Sequence, residues 1–404
     1  MNRCLIIADD FTGANDTGVQ LAKRGIKTNV VLDGKNISDN NISYVLDTET
    51  RNLNSNLAYT DIKNKLKGIC FDDFDLVYKK VDSTLRGNIS SELKAIDEEY
   101  KADLIIFAPS YPDNGRITKD AIHYANNTRI LETEFSKDPQ KPVTEDNIQK
   151  LLQAKFQEPV VHHNLKEIRE NKINFGNARI HTFDAENNSD LEKIVLSAIN
   201  TNMKILWSGS AGLANTILSI VKPAKPVLAI VGSLSEVSRT QVKYAERNGI
   251  NVLKINIPSI LKGKSINEYI NFGKKILHSG KDLIITSAYD FEDYEKTMYV
   301  AKTLSMSKEE ISSITQNILG KIGKKIIEEV NISGLFITGG DTAIGFIKNT
   351  NATGSFIIEE ITTGIPLMKL RGGVFDGIKV VTKAGGFGNE EAIYYSIAKL
   401  KEEK

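Results

Sequence analysis

The feature that most restricts the fold of this chain is a repeated alternation. An apolar run of about five residues is followed by a polar or glycine-rich cluster and then by a longer amphipathic stretch. In the first half the runs are CLIIA, TNVVL, YVLD, LVYKKV, LIIFAP and ILWSGS; in the second they are VLAIVGS, VLKINI, DLIITSA, GLFITGGD and GIKVVTK. Read as strands joined by helices, they predict an α/β fold with mainly parallel sheets. The segment DTGVQLAKRG is predicted helical, with Val19, Leu21 and Ala22 facing a sheet and Gly25 ending the helix.

At 404 residues the chain is too long for one ordinary core, so two domains are expected. The break falls in VKPAKPVLAIVGSLS, where Pro223 and Pro226 flank Ala224 and Lys225 and favour an extended linker. The predicted division is residues 1–220, a linker over 221–227, and a second α/β domain over 228–404. Ligands of open α/β sheets bind beyond the carboxyl ends of strands. In both halves the unusual clusters follow strands, so two domains facing a central cleft are expected.

Composition removes several function classes. Lys plus Arg total 52 against 51 Asp plus Glu, a formal charge of +1, which offers no general field for nucleic acid or an anionic membrane. Cys4 and Cys70 stand far apart with no CxxC spacing and read as reduced, buried thiols. The five His show no HExxH spacing, and the adjacent His162 and His163 read as surface. No apolar run approaches the ~20 residues of a membrane span, and no signal-peptide core opens the chain. A cytoplasmic protein is expected, with its NIS and NNT triplets unglycosylated.

The opening stretch ADDFTGANDTG places Asp9, Asp10 and Asp16 at the end of the first strand. Carboxylates there can orient a hydroxyl, take its proton or hold Mg²⁺ through water, while Thr12 could cap the next helix. Turn and first-turn roles are the competing reading for all three aspartates. In KKVDSTLRGN, alternation puts Lys80 and Asp82 on one face and Lys79 and Val81 on the other. Arg86 can grip a carboxylate and Asp82 can accept from sugar-type hydroxyls, which suits a small hydroxylated anion. A charged surface run with a helix cap at Ser83 is the plainer alternative.

In the second half VGSLSEVSRTQ, TGGDTA and AGGFGNEEA can present backbone N–H groups and hydroxyls to phosphates. The familiar nucleotide signatures are absent. PSILKGKS has Pro258 where a P-loop needs its first glycine, and neither GxGxxG nor the HRD and DFG pair of protein kinases occurs. Trp207 and Phe387 read as core packing, and the acidic DDFD at 72–75 as solvated surface.

Nine motifs in order, ADDFTGANDTG, YKKVDSTLRGN, APSYPDNGR, TEFSKDPQKPV, WSGSAGLA, VGSLSEVSRTQ, TGGDTA, GIPLMKLRGG and TKAGGFGN, resemble the four-carbon acid sugar kinase family across essentially the whole chain. The resemblance implies an N-terminal sugar-acid-binding domain and a C-terminal nucleotide-binding domain. It implies ATP-dependent phosphorylation of the 4-hydroxyl of a four-carbon sugar acid. It places the acid against Asp9 or Asp10, Arg51 of DTETRN, and Lys80, Asp82, Ser83, Thr84 and Arg86. ATP falls against Ser233 or Ser235, the loop of Gly339, Gly340, Asp341 and Thr342, and Gly385 and Gly386. DTETR and KKVDSTLRG look like the threonate and erythronate kinases within the family, with 3-oxo-tetronate kinases set apart by a different strand-end sequence. The segment HYANNTRILETEF departs from the more glycine-rich hairpin of relatives.

The mechanism expected from this reading has Arg86 and Arg51 fixing the acid and Asp9 or Asp10 activating O4. Lys80 counters developing charge, and Mg²⁺ bridges the ATP phosphates, with no protein side chain assigned as its ligand. A homodimer is the base-rate expectation. A sugar-acid sensor and a nicotinamide-dependent oxidoreductase are the competing classes, the second opposed by the missing GxGxxG.

Overall fold

A computed structural model describes residues 3–403, leaving aside the side chains of Asp341 and Lys348. The chain divides into two compact units, one ending at Pro223 and the other covering Ala224–Glu403. Among the described residues no helix is long and apolar enough to cross a membrane.

The first unit carries strands β1 (Cys4–Ala8), β2 (Thr28–Val31), β3 (Ser43–Asp47), β4 (Leu76–Lys80), β5 (Leu104–Ala108), β6 (Arg116–Lys119), β7 (Ile122–Ala125), β8 (Thr128–Arg129), β9 (Val160–His163), β10 (Ile180–Phe183) and β11 (Ile205–Gly209). Its helices are α1 (Phe11–Ala22), α2 (Ser55–Leu66), α3 (Ile89–Tyr100), α4 (Ile148–Gln153), α5 (Leu165–Arg169), α6 (Asn188–Ile199) and α7 (Ala211–Val221). Eight strands form one parallel sheet in the order β2-β3-β1-β4-β11-β5-β10-β9, and β6, β7 and β8 make a small antiparallel sheet.

Strand alternation sorts the apolar side chains into two cores. Leu5, Ile7 and Phe107 pack with Ile62 of α2 and Leu93 and Ile96 of α3. Ile6, Ala8, Tyr78 and Trp207 pack on the opposite face with Ala14 and Leu21 of α1 and with Leu213 of α7.

Helix α1 corrects the sequence reading. It starts at Phe11, not Asp16, because the Asp10 carboxylate accepts from Gly13 N at 3.0 Å and caps it; Thr12 is not the cap. The earlier start rotates the buried stripe to Ala14, Gly18 and Leu21, leaving Val19 and Ala22 exposed. The helix ends at Ala22, and Gly25 lies in the turn beyond it. Asp16 consequently sits on the helix's exposed face, away from the pair that precedes it.

Three further expectations are overturned. His163 is buried, with its Nε2 2.9 Å from His181 Nδ1, and His162 contacts Asp184. Cys70 is exposed, although Cys4 is buried. Phe387 is half exposed on a loop, whereas Trp207 does belong to the core.

The second unit carries β12 (Val227–Val231), β13 (Asn251–Lys254), β14 (Leu283–Thr286), β15 (Gly334–Thr338), β16 (Gly354–Thr362), β17 (Ile365–Arg371) and β18 (Lys379–Lys383). Helices α8 (Glu236–Arg247), α9 (Ile257–Leu261), α10 (Asn267–His278), α11 (Phe291–Thr303), α12 (Lys308–Ile327), α13 (Gly340–Asn349) and α14 (Ala392–Leu400) flank it. The sheet order is β13-β14-β12-β15-β18-β17-β16. Its first five strands are parallel, and the β16–β17 hairpin, which was absent from the strands predicted, adds an antiparallel edge.

The two units share a winding. In each, the second strand goes to the edge, the third pairs with the first, and the fourth crosses to the first strand's other side. The direction of winding therefore reverses between β1 and β4, and again between β12 and β15. A crevice opens at the carboxyl ends of strands at such a reversal, which is where ligands of open α/β sheets bind.

Candidate active site

In the first unit the reversal point is occupied by charge. Asp9 and Asp10 leave the end of β1, while Lys80 ends β4 and Asp82 follows it. Arg51, from the turn after β3, spans both aspartates: Nε and Nη2 reach Asp9 at 2.8 and 3.1 Å, and Nη1 and Nη2 each reach Asp10 at 2.8 Å. Burial alone would lower the Arg51 pKa, but Asp9, Asp82 and Asp10 outweigh it and raise it further. The guanidinium is thus permanently charged and committed to aiming the two carboxylates.

Lys80 is buried beneath them, with Nζ 3.0 Å from where a Cβ would stand on Gly13. Its ammonium makes no hydrogen bond or ion pair within the described residues. Burial pushes its pKa down, opposed by Asp9, Asp82 and Asp10. Lys79, one residue earlier, points to the other face and pairs with Glu92 of α3, as alternation requires.

The loop after β4 is organised around Asp82. Its carboxylate accepts from Arg86 Nε at 3.0 Å and Nη2 at 3.2 Å, from Thr84 N at 3.2 Å, and from the Thr84 hydroxyl. Burial would raise the Asp82 pKa, yet Arg86, Arg51 and Thr84 hold it well below the usual carboxylate range. Ser83 caps no helix; α3 starts later, behind Asn88. Gly87 has φ +110° and lies 3.0 Å, measured from a Cβ built on it, from Asp9 Oδ2, so only glycine fits there without strain.

A polar cavity of ≈160 Å³ opens above this cluster, lined by Asp10, Arg51, Asn52, Arg86, Asp138 and Lys141 among others. Asp138 and Lys141 were not singled out from the sequence, although both lie in TEFSKDPQKPV. Asp138 takes Arg86 Nη1 at 3.2 Å, and Lys141 Nζ bonds Leu53 O and Asn88 Oδ1, each at 2.8 Å. Cations and carboxylates are closely matched around this space, so a ligand here would be selected by directional hydrogen bonds more than by net field.

In the second unit three loops converge at the β12/β15 reversal. A Cβ on Gly232 would stand 2.1 Å from Thr342 Oγ1, and one on Gly385 would stand 2.3 Å from Ser233 Oγ. Gly339 has φ +101° and leads into α13, which begins at Gly340. Ser233, Ser235, Gly339, Gly340, Thr342 and Gly385 are therefore brought together, with Gly386 next in the loop. The Asp341 side chain lies outside the described residues.

Two residues missed from the sequence shape the last loop. Lys383 Nζ donates to Ala384 O, Gly385 O and Phe387 O at 3.0–3.1 Å, and burial lowers its pKa to about 8. Gln241 of α8 donates to Phe387 O at 3.0 Å and Asn389 O at 2.7 Å. Ser235 and Ser238 hydroxyls also donate to Gly385 O. With that carbonyl so held, the N–H of Gly386, on the same planar peptide unit, points the opposite way, and the space around a Cβ built on Gly386 is open. Beside these loops a cavity of ≈210 Å³ is lined by Gly232, Leu234, Ile257, Ser287, Tyr294 and Met298 among others.

Comparison with known proteins agrees with this division. Residues 4–217 match a family model described as a sugar-binding N-terminal domain, and residues 228–393 match a nucleotide-binding C-terminal domain. A D-threonate kinase of Salmonella typhimurium is 31% identical over 97% of this chain and 98% of its own. A D-erythronate kinase of Heliobacterium modesticaldum is 24% identical over 100% and 99%. A Bordetella bronchiseptica protein, solved with bound citrate as a domain-swapped dimer, shares the fold at TM-score 0.69, with 23% identity and 99% of each chain covered. A sugar-binding unit joined to a nucleotide-binding unit defines an ATP-dependent phosphotransferase acting on a small molecule. The chain belongs to the four-carbon acid sugar kinase family.

Proposed function

We propose that this kinase transfers the γ-phosphoryl group of MgATP to the 4-hydroxyl of D-threonate or D-erythronate. The observation that carries this reading is the polar cavity over Asp10, Arg86 and Lys141 at the β1/β4 reversal, in a chain 31% identical to a D-threonate kinase.

Phosphoryl transfer needs positioning and charge neutralisation more than covalent chemistry by the protein. Arg86 and Lys141 hold the substrate carboxylate, and Asp82, Ser83 and Thr84 meet its hydroxyls. Asp10 lines the cavity and is more exposed than Asp9, so Asp10 orients O4 and accepts its proton as the new O–P bond forms. Arg51 keeps both carboxylates in register, and Lys80 offsets the charge that develops. Mg²⁺ enters with the nucleotide, balancing its phosphate oxygens. The hydroxyls of Ser233, Ser235 and Thr342 and the Gly339, Gly340, Gly385 and Gly386 backbone cradle those phosphates. The cavity at Tyr294 and Met298 takes the base. The enzyme works in the cytoplasm, where ATP is made and used, and as a homodimer with twice the 44.7 kDa mass of the chain.

The deciding experiment is ADP release with MgATP against a panel of tetronates and 3-oxo-tetronates, with a control lacking acceptor. Release that depends on D-threonate or D-erythronate is expected. Release only with a 3-oxo-tetronate would replace the substrate, and binding without release would favour a sensor.

A further inference from the structure

His123, on β7, is not among the residues that line the polar cavity, yet it bonds the 82–86 loop that carries Arg86 into that lining. The ring is fully buried, and its Nε2 lies 2.9 Å from the Ser83 carbonyl oxygen. A carbonyl only accepts, so Nε2 carries the proton. Burial lowers the His123 pKa to about 4, with the Ser83 contact, Asp82 and Asp146 opposing and Arg116 assisting; the ring is neutral and Nδ1 is an acceptor. Thr118 Oγ1, 2.9 Å away on β6, must donate to Nδ1, and its oxygen in turn takes the Ser110 hydroxyl at 2.9 Å. Every proton in the series Ser110, Thr118, His123, Ser83 therefore has one possible direction.

The series ends on a peptide unit fixed from both sides. The Ser83 carbonyl is held by His123, while the N–H of the same unit, on Thr84, is held by Asp82 Oδ2 at 3.2 Å. Asp82 then fixes Arg86, and Leu85 between them has φ 64°, a conformation a free loop would leave. His123 itself is anchored, its N–H donating to Asp146 O at 2.9 Å.

We propose that His123 is a positioning residue for acid binding, its Nε2–H setting the 83–84 peptide and through it Asp82 and Arg86. This rests on the reading that the 82–86 loop meets the acid. Two substitutions separate the ends of the ring. In His123→Gln the amide nitrogen reaches the place of Nε2 and keeps the donor to Ser83. In His123→Asn the side chain reaches only the place of Nδ1.

The test compares the KM for D-threonate, the KM for ATP, and amide exchange at Thr84 and Arg86 in both variants. Loss of one buried hydrogen bond predicts an acid KM about tenfold higher in His123→Asn, an unchanged ATP KM, and exchange faster at both amides, with His123→Gln within about threefold of wild type. Equal effects of the two variants, or an acid KM unmoved by either, would overturn the proposal. So would a wild-type ring found by ¹⁵N spectroscopy to be protonated at Nδ1. Should His123→Asn fail to fold, Thr118→Val serves in its place: it releases Nδ1 and is expected to raise the acid KM in the same direction. If wild type turns over no tetronate, the function reading fails by itself, and the tautomer and exchange results still judge His123.

Discussion

Lys79 and Glu92 face each other at 2.7 Å with both side chains closed to solvent. Within the described residues neither has another hydrogen-bond partner, so each charge depends on the other's approach. Removing one partner strands the other charge and should cost about 3–5 kcal/mol, whereas replacing both by apolar residues should be near neutral or stabilising. Urea unfolding of Lys79→Met, Glu92→Leu and the double variant checks this. A single variant as stable as wild type would refute it.

Gly87 tests the approach of the 82–87 loop to the aspartates. Gly87→Ala adds a Cβ 3.0 Å from Asp9 Oδ2 at a φ of +110° and should cost about 1–3 kcal/mol in backbone strain. Because the same methyl presses on a carboxylate held by Arg51, kcat/KM for the acid should fall while the KM for ATP stays put. Thermal unfolding and steady-state kinetics read the two effects separately.

Lys383 predicts opposite pH trends for stability and nucleotide binding. Its folded pKa of about 8 lies below the ~10.4 of an exposed lysine, so between these values the unfolded chain binds more protons. Stability from this group therefore rises with pH across that window, and its burial cost is fully present below it. The loop's cationic anchor is lost as pH passes the folded pKa of about 8, and the KM for ATP should climb several-fold from about pH 7.5 to about pH 9. In Lys383→Met that climb should vanish; a climb that persists would assign it to another group.

Gly232 and Thr342 offer a test by compensation. Gly232→Ala places a methyl 2.1 Å from Thr342 Oγ1, and overpacking of this kind costs about 1–3 kcal/mol. ATP affinity should drop by about tenfold, a shift of about 1.4 kcal/mol, and pairing with Thr342→Ala should recover part of it. Calorimetric titration with ATP across the four-variant cycle gives the coupling. Strict additivity would mean the two loops do not press on each other.

Much of the fold was legible because buried parallel strands advertise themselves as short apolar runs. The hairpin over β16 and β17 was not, since β16 carries exposed Phe356, Ile357 and Ile358 beside glutamates, without the clean alternation of a half-buried strand. The phase of α1 was misread because a capping carboxylate moves a helix start without altering the apolar pattern that follows. In the site, aspartates and arginines at strand ends drew notice, and the structure brings Asp9, Asp10, Arg51, Lys80, Asp82 and Arg86 together. Lys141, Lys383 and His123 did not stand out, because each works through a backbone carbonyl and carbonyls leave no trace in a sequence.

The repeated winding has one more consequence. Every hydrogen-bonded strand ladder of β1–β11 closes before Pro223, and every ladder of β12–β18 opens after it. Inheritance can therefore treat the halves as separate cartridges: the acceptor can be exchanged for another acid in one while the grip on the phosphate donor passes unchanged in the other.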